Sequence, residues 1–188
     1  CVDGVHGFGN QAANIPDLGC DFFVAGTHKW IFGPRGTGIL WGRSGVTDQV
    51  LETIPTFSGT ATFGERMTPG GFHSFEHRWA LREAFDFHLN VGKQKIEDRI
   101  FELNRQMKEG LKNSSRVTLY TPTARALSAG IVCFDVEGYS PSMVVSRLRS
   151  SNIVASVTPY STSYARVTPG LLNVPSEIDR ALSLIRSL

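Results

Sequence analysis

The chain has 188 residues, 41% hydrophobic and 19% charged, with 19 Lys and Arg against 17 Asp and Glu for a net charge of +2. That length gives one large domain or two small ones and buries enough surface to need neither disulfides nor a metal for its core. The composition excludes a disordered or fibrous chain, and the charge balance excludes a polybasic nucleic-acid binder or membrane anchor. The longest apolar runs, such as Ile131-Val132-Cys133-Phe134, are far too short to span a membrane. Three widely spaced cysteines fit a reducing compartment, so a cytoplasmic location is expected.

The sequence opens on Cys1-Val2-Asp3-Gly4-Val5-His6. Cys1-Val2 reads as the end of a strand whose beginning is absent, so the chain is expected to be the C-terminal piece of something longer, with any targeting signal upstream. Asp21-Phe22-Phe23-Val24-Ala25, closed by Gly26, predicts a strand covered on both faces, and Gly38-Ile39-Leu40-Trp41 predicts another. The loop between them is dense in Gly and polar groups. Loops that leave the carboxyl ends of buried strands are where α/β proteins place their chemistry.

Over residues 44–74, Pro55, Gly59, Gly64, Pro69, Gly70 and Gly71 break every periodicity. From Phe75 the pattern turns helical, with Trp79, Ala80, Ala84 and Phe87 as one stripe. Gly92 interrupts it, and Ile96, Ile100, Leu103, Met107 and Leu111 make a second. Short segments follow at 117–120, 130–136, 153–157 and 165–167, with a helix near 142–149. A last helix starts at Pro175 and carries Ile178, Ala181, Leu182, Ile185 and Leu188 on one face. The predicted class is α/β. Residues 1–45 are the end of a mostly parallel sheet, 46–112 a connecting segment with long helices, and 113–188 a small α+β domain.

Taken singly, the polar residues of the first segment have ordinary readings beside chemical ones. Lys29 is either a snorkelling surface residue or a desolvated amine of the kind that Schiff-base chemistry requires. Asp3, ending the first apolar run, is a turn former or a carboxylate facing a cationic ligand group at the sheet edge. His6 is a surface histidine or a ligand contact. Arg166 is an exposed strand arginine or an anion receptor.

In combination these residues resemble a known family. Val2-Asp3-Gly4-Val5-His6-Gly7, a spacer, an apolar strand, then Gly26-Thr27-His28-Lys29-Trp30 and Gly36-Thr37-Gly38 are similar to the fold-type I enzymes that use pyridoxal 5′-phosphate (PLP). The closest group is the class V aminotransferases. Ala25-Gly26-Thr27-His28-Lys29-Trp30-Ile31-Phe32-Gly33-Pro34-Arg35-Gly36-Thr37-Gly38 and Pro69-Gly70-Gly71-Phe72-His73-Ser74-Phe75-Glu76-His77-Arg78-Trp79-Ala80-Leu81 look most like the isopenicillin-N-epimerase-like branch. Arg166-Val167-Thr168-Pro169-Gly170 and residues 173–179 look like the C-terminal signature of the class.

The resemblance implies roles. Lys29 carries the cofactor as a lysine aldimine and then shuttles the α-proton. Asp3 pairs with the pyridine nitrogen. His6 stands where the family places a hydrogen-bond partner of the ring oxygen, often a Gln. Thr27 and His28 help hold the phosphate, and Arg166 grips the substrate α-carboxylate with its planar fork. The implied protein is a homodimer acting on a small amino-acid-like substrate, with no nucleic acid, membrane or metal. One departure is visible. Many relatives carry a Gly-Thr pair before the long helix, which reaches the partner subunit's cofactor phosphate; here the stretch reads His73-Ser74-Phe75-Glu76-His77-Arg78. Ser74 or His73 substitutes, or the contact is lost. The Gly-rich phosphate loop and the ring-stacking aromatic residue are expected upstream.

His73-Ser74-Phe75-Glu76-His77 also spells the H-x-x-E-H pattern of some zinc proteases, but Ser74 as N-cap leaves His73 outside the helix. Gly33-Pro34-Arg35-Gly36-Thr37-Gly38 lacks the Gly-Lys-Ser/Thr ending of a P-loop and reads as a tight turn. Cys133 and Cys20 read as core thiols, whereas a cysteine desulfurase needs a thiolate on a mobile loop near the cofactor. The expected activity is a PLP-dependent reaction at the α-carbon, of aminotransferase or epimerase type. β-Elimination or desulfuration is the alternative within the class, and a non-catalytic dimerisation remnant the alternative outside it.

Overall fold

Val2–Asp3 (β1) and Phe22–Gly26 (β2) run parallel in the computed structural model, which describes residues 1–57, 62–68, 71 and 73–188. Gly59, Pro69, Gly70 and Phe72, named above among the breakers or in a motif, lie outside the described residues. The chain divides into two compact units, Cys1–Gln94 and Lys95–Leu188.

In the first unit the strand order is β1-β2-β3, with Gly38–Gly42 (β3) antiparallel to β2. Val2 lies opposite Phe23 and Asp3 opposite Val24. The β2 run was written in apolar residues throughout, yet burial alternates: Phe23 and Ala25 are buried, Phe22 and Val24 half-buried. Cys20, Phe23 and Ala25 form the core, with Val2, Phe8, Ile15, Ile39 and Trp41 against them. A ring buried as fully as Phe23 contributes about 1.5–3 kcal/mol. Beyond β3, Phe63–Arg66 (α1) is one turn held by a Thr62–Glu65 capping box.

Phe75–Val91 (α2) starts at Ser74, whose side chain makes no cap bond, so His73 precedes the helix. The stripe of Trp79, Ala80, Ala84 and Phe87 is not the main packed face of this unit: Trp79 is 75% exposed, and Phe87, 40% exposed, meets Phe32 edge-on. The packed face is the adjacent one, where Leu81, Phe85 and His88 follow helical spacing. Leu81 lies against Gly33, Phe85 meets Phe8 edge-on and His88 meets Phe32. Gly92, at φ +92°, ends α2.

Lys93–Lys112 (α3) buries Ile96, Ile100, Leu103, Met107 and Leu111, the stripe read from the sequence, and adds Asn104, Lys108 and Gly110. The second unit holds a four-stranded antiparallel sheet in the order β4-β5-β7-β6, formed by Val117–Leu119 (β4), Val132–Val136 (β5), Ser156–Val157 (β6) and Ala165–Val167 (β7). Pro141–Ser150 (α4) and Pro175–Arg186 (α5), together with α3, share one core with the inward residues Val132, Phe134, Val136, Ala165 and Val167. The strand predicted over 153–157 shrinks to two residues. Asn152, at φ +59°, and the Ile153 amide bond to the Leu148 carbonyl turn that stretch into the end of α4. Among the described residues no helix is long and apolar enough to cross a membrane.

Candidate active site

Parallel pairing sends the chain out of β1 and β2 at one edge of the sheet. The register of Asp3 with Val24, extended by the Gly4 amide bond to the Val24 carbonyl, puts the 3–11 and 27–37 loops side by side. This is the carboxyl edge at which α/β sheets hold ligands. Asp3, His6, Thr27, His28 and Lys29 all come from these two loops.

Asp3 is exposed and accepts a hydrogen bond from the Val5 amide at 3.0 Å, an Asx turn that uses one carboxylate oxygen. His6 follows in a tight turn built on Gly4 and Gly7 carbonyls. Its Nε2 lies 3.2 Å from Lys29 Nζ. Among the described residues the amine makes this one hydrogen bond and no ion pair. Lys29 is half-buried, and His28 beside it is exposed.

Thr27 is fully buried and is the hub of its loop. Its amide donates to the Thr37 carbonyl at 3.1 Å, and its own carbonyl accepts from the Gly33 amide at 2.8 Å. Its Oγ1 sits 2.5 Å from Thr37 Oγ1, which donates to the Pro34 carbonyl at 2.6 Å. With the Thr37 proton spent on Pro34, Thr27 donates to Thr37, so its hydroxyl proton points into the loop. Thr37 was visible in the sequence only as part of a motif; a pair ten residues apart across a loop leaves no periodic signal.

Helix α2 supports the same loop from outside. His77 Nδ1 lies 3.2 Å from the Arg35 carbonyl, Leu81 rests on Gly33, and the ring of Phe32, a non-glycine residue at φ +61°, meets Phe87 and His88. Burial pushes the His88 imidazole below the usual histidine range, partly opposed by a hydrogen bond to the Trp30 backbone. His88 thus resists protonation beside the backbone of Trp30, the residue that follows Lys29. It reads in sequence as an ordinary helix residue.

Arg166 belongs to the other unit. On β7 it lies between Cys133 of β5 and Ser156 of β6, on the sheet face opposite the buried Ala165 and Val167. Its Nε donates to Ser156 Oγ at 3.0 Å. Among the described residues the guanidinium has no ion pair, unlike Arg125, which binds Glu97 and Asp98. Burial pushes the Cys133 thiol up, against the opposing influence of Arg166 and Thr121. Further along this face the Tyr120 and Tyr164 rings lie tilted to each other with centroids 4.1 Å apart, and the neighbouring Asp135 carboxylate pushes the Tyr120 hydroxyl up. Behind β7, the buried Asn104 amide donates to the Pro169 carbonyl at 2.8 Å and fixes the segment after Arg166.

The sequence matches the family model described as Aminotransferase class-V over residues 1–163. A cysteine desulfurase of Yersinia pseudotuberculosis is 30% identical over 148 residues, covering 72% of this chain and 35% of that protein. The solved apo structure of a cysteine desulfurase from Thermococcus onnurineus superposes with a TM-score of 0.88 at 20% identity, over 99% of this chain and 51% of the other. The cystine C–S lyase C-DES, solved in complex with its reaction product cysteine persulfide, gives 0.89 at 19% identity, over 97% and 50%. The fold is that of PLP fold-type I enzymes, and the chain spans about a third to a half of the length of these proteins.

Proposed function

We propose, on the premise that this chain belongs to the class V aminotransferase family of PLP-dependent enzymes, that it carries the cofactor-binding lysine of an enzyme acting at the α-carbon of a sulfur-containing amino acid. The observation that carries this reading is the meeting of Lys29 with His6 at the sheet edge where Asp3 ends β1. The donor set suits PLP: a carboxylate for the pyridine nitrogen, an amine for the aldehyde and an exposed imidazole for the phosphate.

When bound, PLP supplies an aldehyde that takes up an amine and a ring that accepts electrons from the α-carbon. Asp3 holds a proton on the ring nitrogen. Lys29 would hold the group through its amine and would move a proton at the substrate α-carbon. His6 orients the Lys29 amine and is the residue to meet the ring oxygen. His28 donates to the phosphate, and Thr27 serves it by fixing the loop from inside, since its hydroxyl is engaged with Thr37. Arg166 receives a carboxylate. Ser74 and His73 are the candidates to replace the Gly-Thr pair in a homodimer, and a cytoplasmic location is part of the same proposal.

For the reaction, the similar proteins are cysteine desulfurases and a C–S lyase, which favours elimination or desulfuration over the transamination or epimerisation implied by the sequence resemblance. Between the two, elimination asks nothing of the three cysteines in this stretch. Cys20 is buried, the Cys133 thiol is pushed up by burial, and Cys1 precedes β1 at the end away from Asp3. None has the character of a loop thiolate that takes sulfur from a substrate. Elimination needs no such thiol: L-cysteine and water become pyruvate, ammonia and hydrogen sulfide. Desulfuration gives alanine and leaves the sulfur on an enzyme thiol. Holoenzyme supplied with L-cysteine or L-cystine should release pyruvate and ammonia, and Cys133→Ser should not change this. Alanine with a protein persulfide would establish desulfuration instead, and consumption of a 2-oxo acid without sulfur release would establish transamination.

A further inference from the structure

Arg166 stands on a middle strand with a hydroxyl on one side and a thiol on the other. Ser156 is its register partner on β6 and Cys133 its register partner on β5. Both side chains share the sheet face of the guanidinium, because side chains alternate along a strand and Ala165 and Val167 point into the core. Neither neighbour is a carboxylate, and burial pushes the Cys133 thiol up, away from the thiolate. The guanidinium is half-buried, keeps its positive charge at any working pH and makes no ion pair among the described residues.

A guanidinium offers a carboxylate two forked edges. One is made by the two terminal nitrogens, the other by Nε and one terminal nitrogen. The 3.0 Å hydrogen bond from Nε to Ser156 Oγ occupies the second edge and fixes the plane of the group. Only the terminal edge is left for a two-point grip. Ser156 comes from a two-residue strand whose register with β7 places the hydroxyl beside the arginine, while α4 packs against the same strand.

We infer that Ser156 is a positioning residue for carboxylate recognition: by holding Arg166 Nε it selects the terminal-nitrogen edge of the guanidinium and pre-orders it for the substrate carboxylate. This rests on the proposed role of Arg166. Ser156 touches no substrate; its contribution is the rotamer freedom that the arginine no longer loses on binding.

The test compares two amines that differ only in the carboxylate, L-alanine and ethylamine, titrated into the holoenzyme and followed by cofactor absorbance. Ser156→Ala should weaken L-alanine about fivefold to tenfold, the value of a hydrogen bond to a charged group with partial replacement by water, and should change ethylamine by less than twofold. Ser156→Thr, which keeps the hydroxyl, should restore L-alanine binding. Independently of cofactor and activity, the Arg166 Nε–H resonance of the cofactor-free protein should exchange slowly in the native protein and in Ser156→Thr, and rapidly in Ser156→Ala. Unchanged L-alanine binding in Ser156→Ala, or an equal loss for both amines, would overturn the inference. Arg166→Lys separates the two levels: if it retains the preference for L-alanine, the role of Arg166 is wrong. If it loses the preference while Ser156→Ala keeps it, only the role of Ser156 fails.

Discussion

Lys29 Nζ donates toward His6 Nε2 across 3.2 Å, joining two loops that lie twenty-three residues apart in the chain. An ammonium donates to that nitrogen where the imidazole leaves it unprotonated, so the roles in this contact follow the tautomer of the ring. Among the described residues the amine forms no ion pair with a carboxylate, which suits the nucleophilic role proposed for it.

His6→Leu keeps the bulk of the ring and removes the acceptor. PLP retention should fall about tenfold, the worth of a hydrogen bond to a charged group. His6→Gln supplies a carbonyl in its place and should stay within about threefold. Equilibrium dialysis of the cofactor measures both, and equal losses in the two variants would show that the ring acts by packing.

Borohydride reduction of the holoenzyme, followed by peptide mapping, should leave the pyridoxyl group on Lys29. Lys93, Lys95, Lys108 and Lys112 are the competing amines. Lys108 is the informative control: it is buried, its pKa is lowered by desolvation, and it is held by the Pro122 carbonyl and Ser128 Oγ. A label there would mean that desolvation alone chooses the reactive amine.

Asp3→Asn should cost about 100-fold in turnover, in the range of losing one electrostatic contact to the reacting system, and should change stability by no more than about 0.5 kcal/mol. The amide oxygen still accepts from the Val5 amide, so the turn survives. It cannot hold a proton on the pyridine nitrogen. Near-native turnover in this variant would remove Asp3 from the mechanism.

His88 should make folding acid-labile. Its folded pKa is depressed by burial, so as pH falls through the unfolded value near 6.5 the unfolded chain takes up a proton that the folded chain refuses. Stability is therefore lost as pH drops through that value, and above it both forms are neutral and nothing changes. His88→Phe keeps ring contacts with Phe32 and Phe87 but cannot titrate. Unfolding midpoints of the two proteins should converge, or cross in favour of the variant, between pH 7.5 and 5.5. A constant offset would mean that His88 takes no part.

Gly110→Ala should destabilise the protein although alanine is the better helix former by about 1 kcal/mol. A Cβ on Gly110 would lie 2.2 Å from Leu182 Cδ1, and Leu182 is buried in the shared core. Overpacking of this kind costs about 1–3 kcal/mol, which urea unfolding resolves. A gain in stability would show that α5 moves away freely.

What the sequence determined is whatever repeats along the chain or sits within a few residues. The α2–α3 break at Gly92, the buried stripe of α3 and the face of α5 follow from helical periodicity. The Asp3, His6 and Lys29 motifs were legible because they are contiguous words next to short apolar runs. Tertiary structure decided what depends on pairing between distant segments. The parallel register of Asp3 with Val24 brings the two loops to one edge, and the Thr27–Thr37 contact turns a hydroxyl inward. The packed face of α2 is the Leu81–Phe85–His88 row rather than the one bearing Trp79, because the two loops beneath it offer Gly33, Phe8 and Phe32. Ser156 meets Arg166 only through the β6–β7 register. Periodicity reports which residues share a face of one element; it carries no information about which other element that face will meet, and hydrogen bonds between elements are fixed only when packing sets their register.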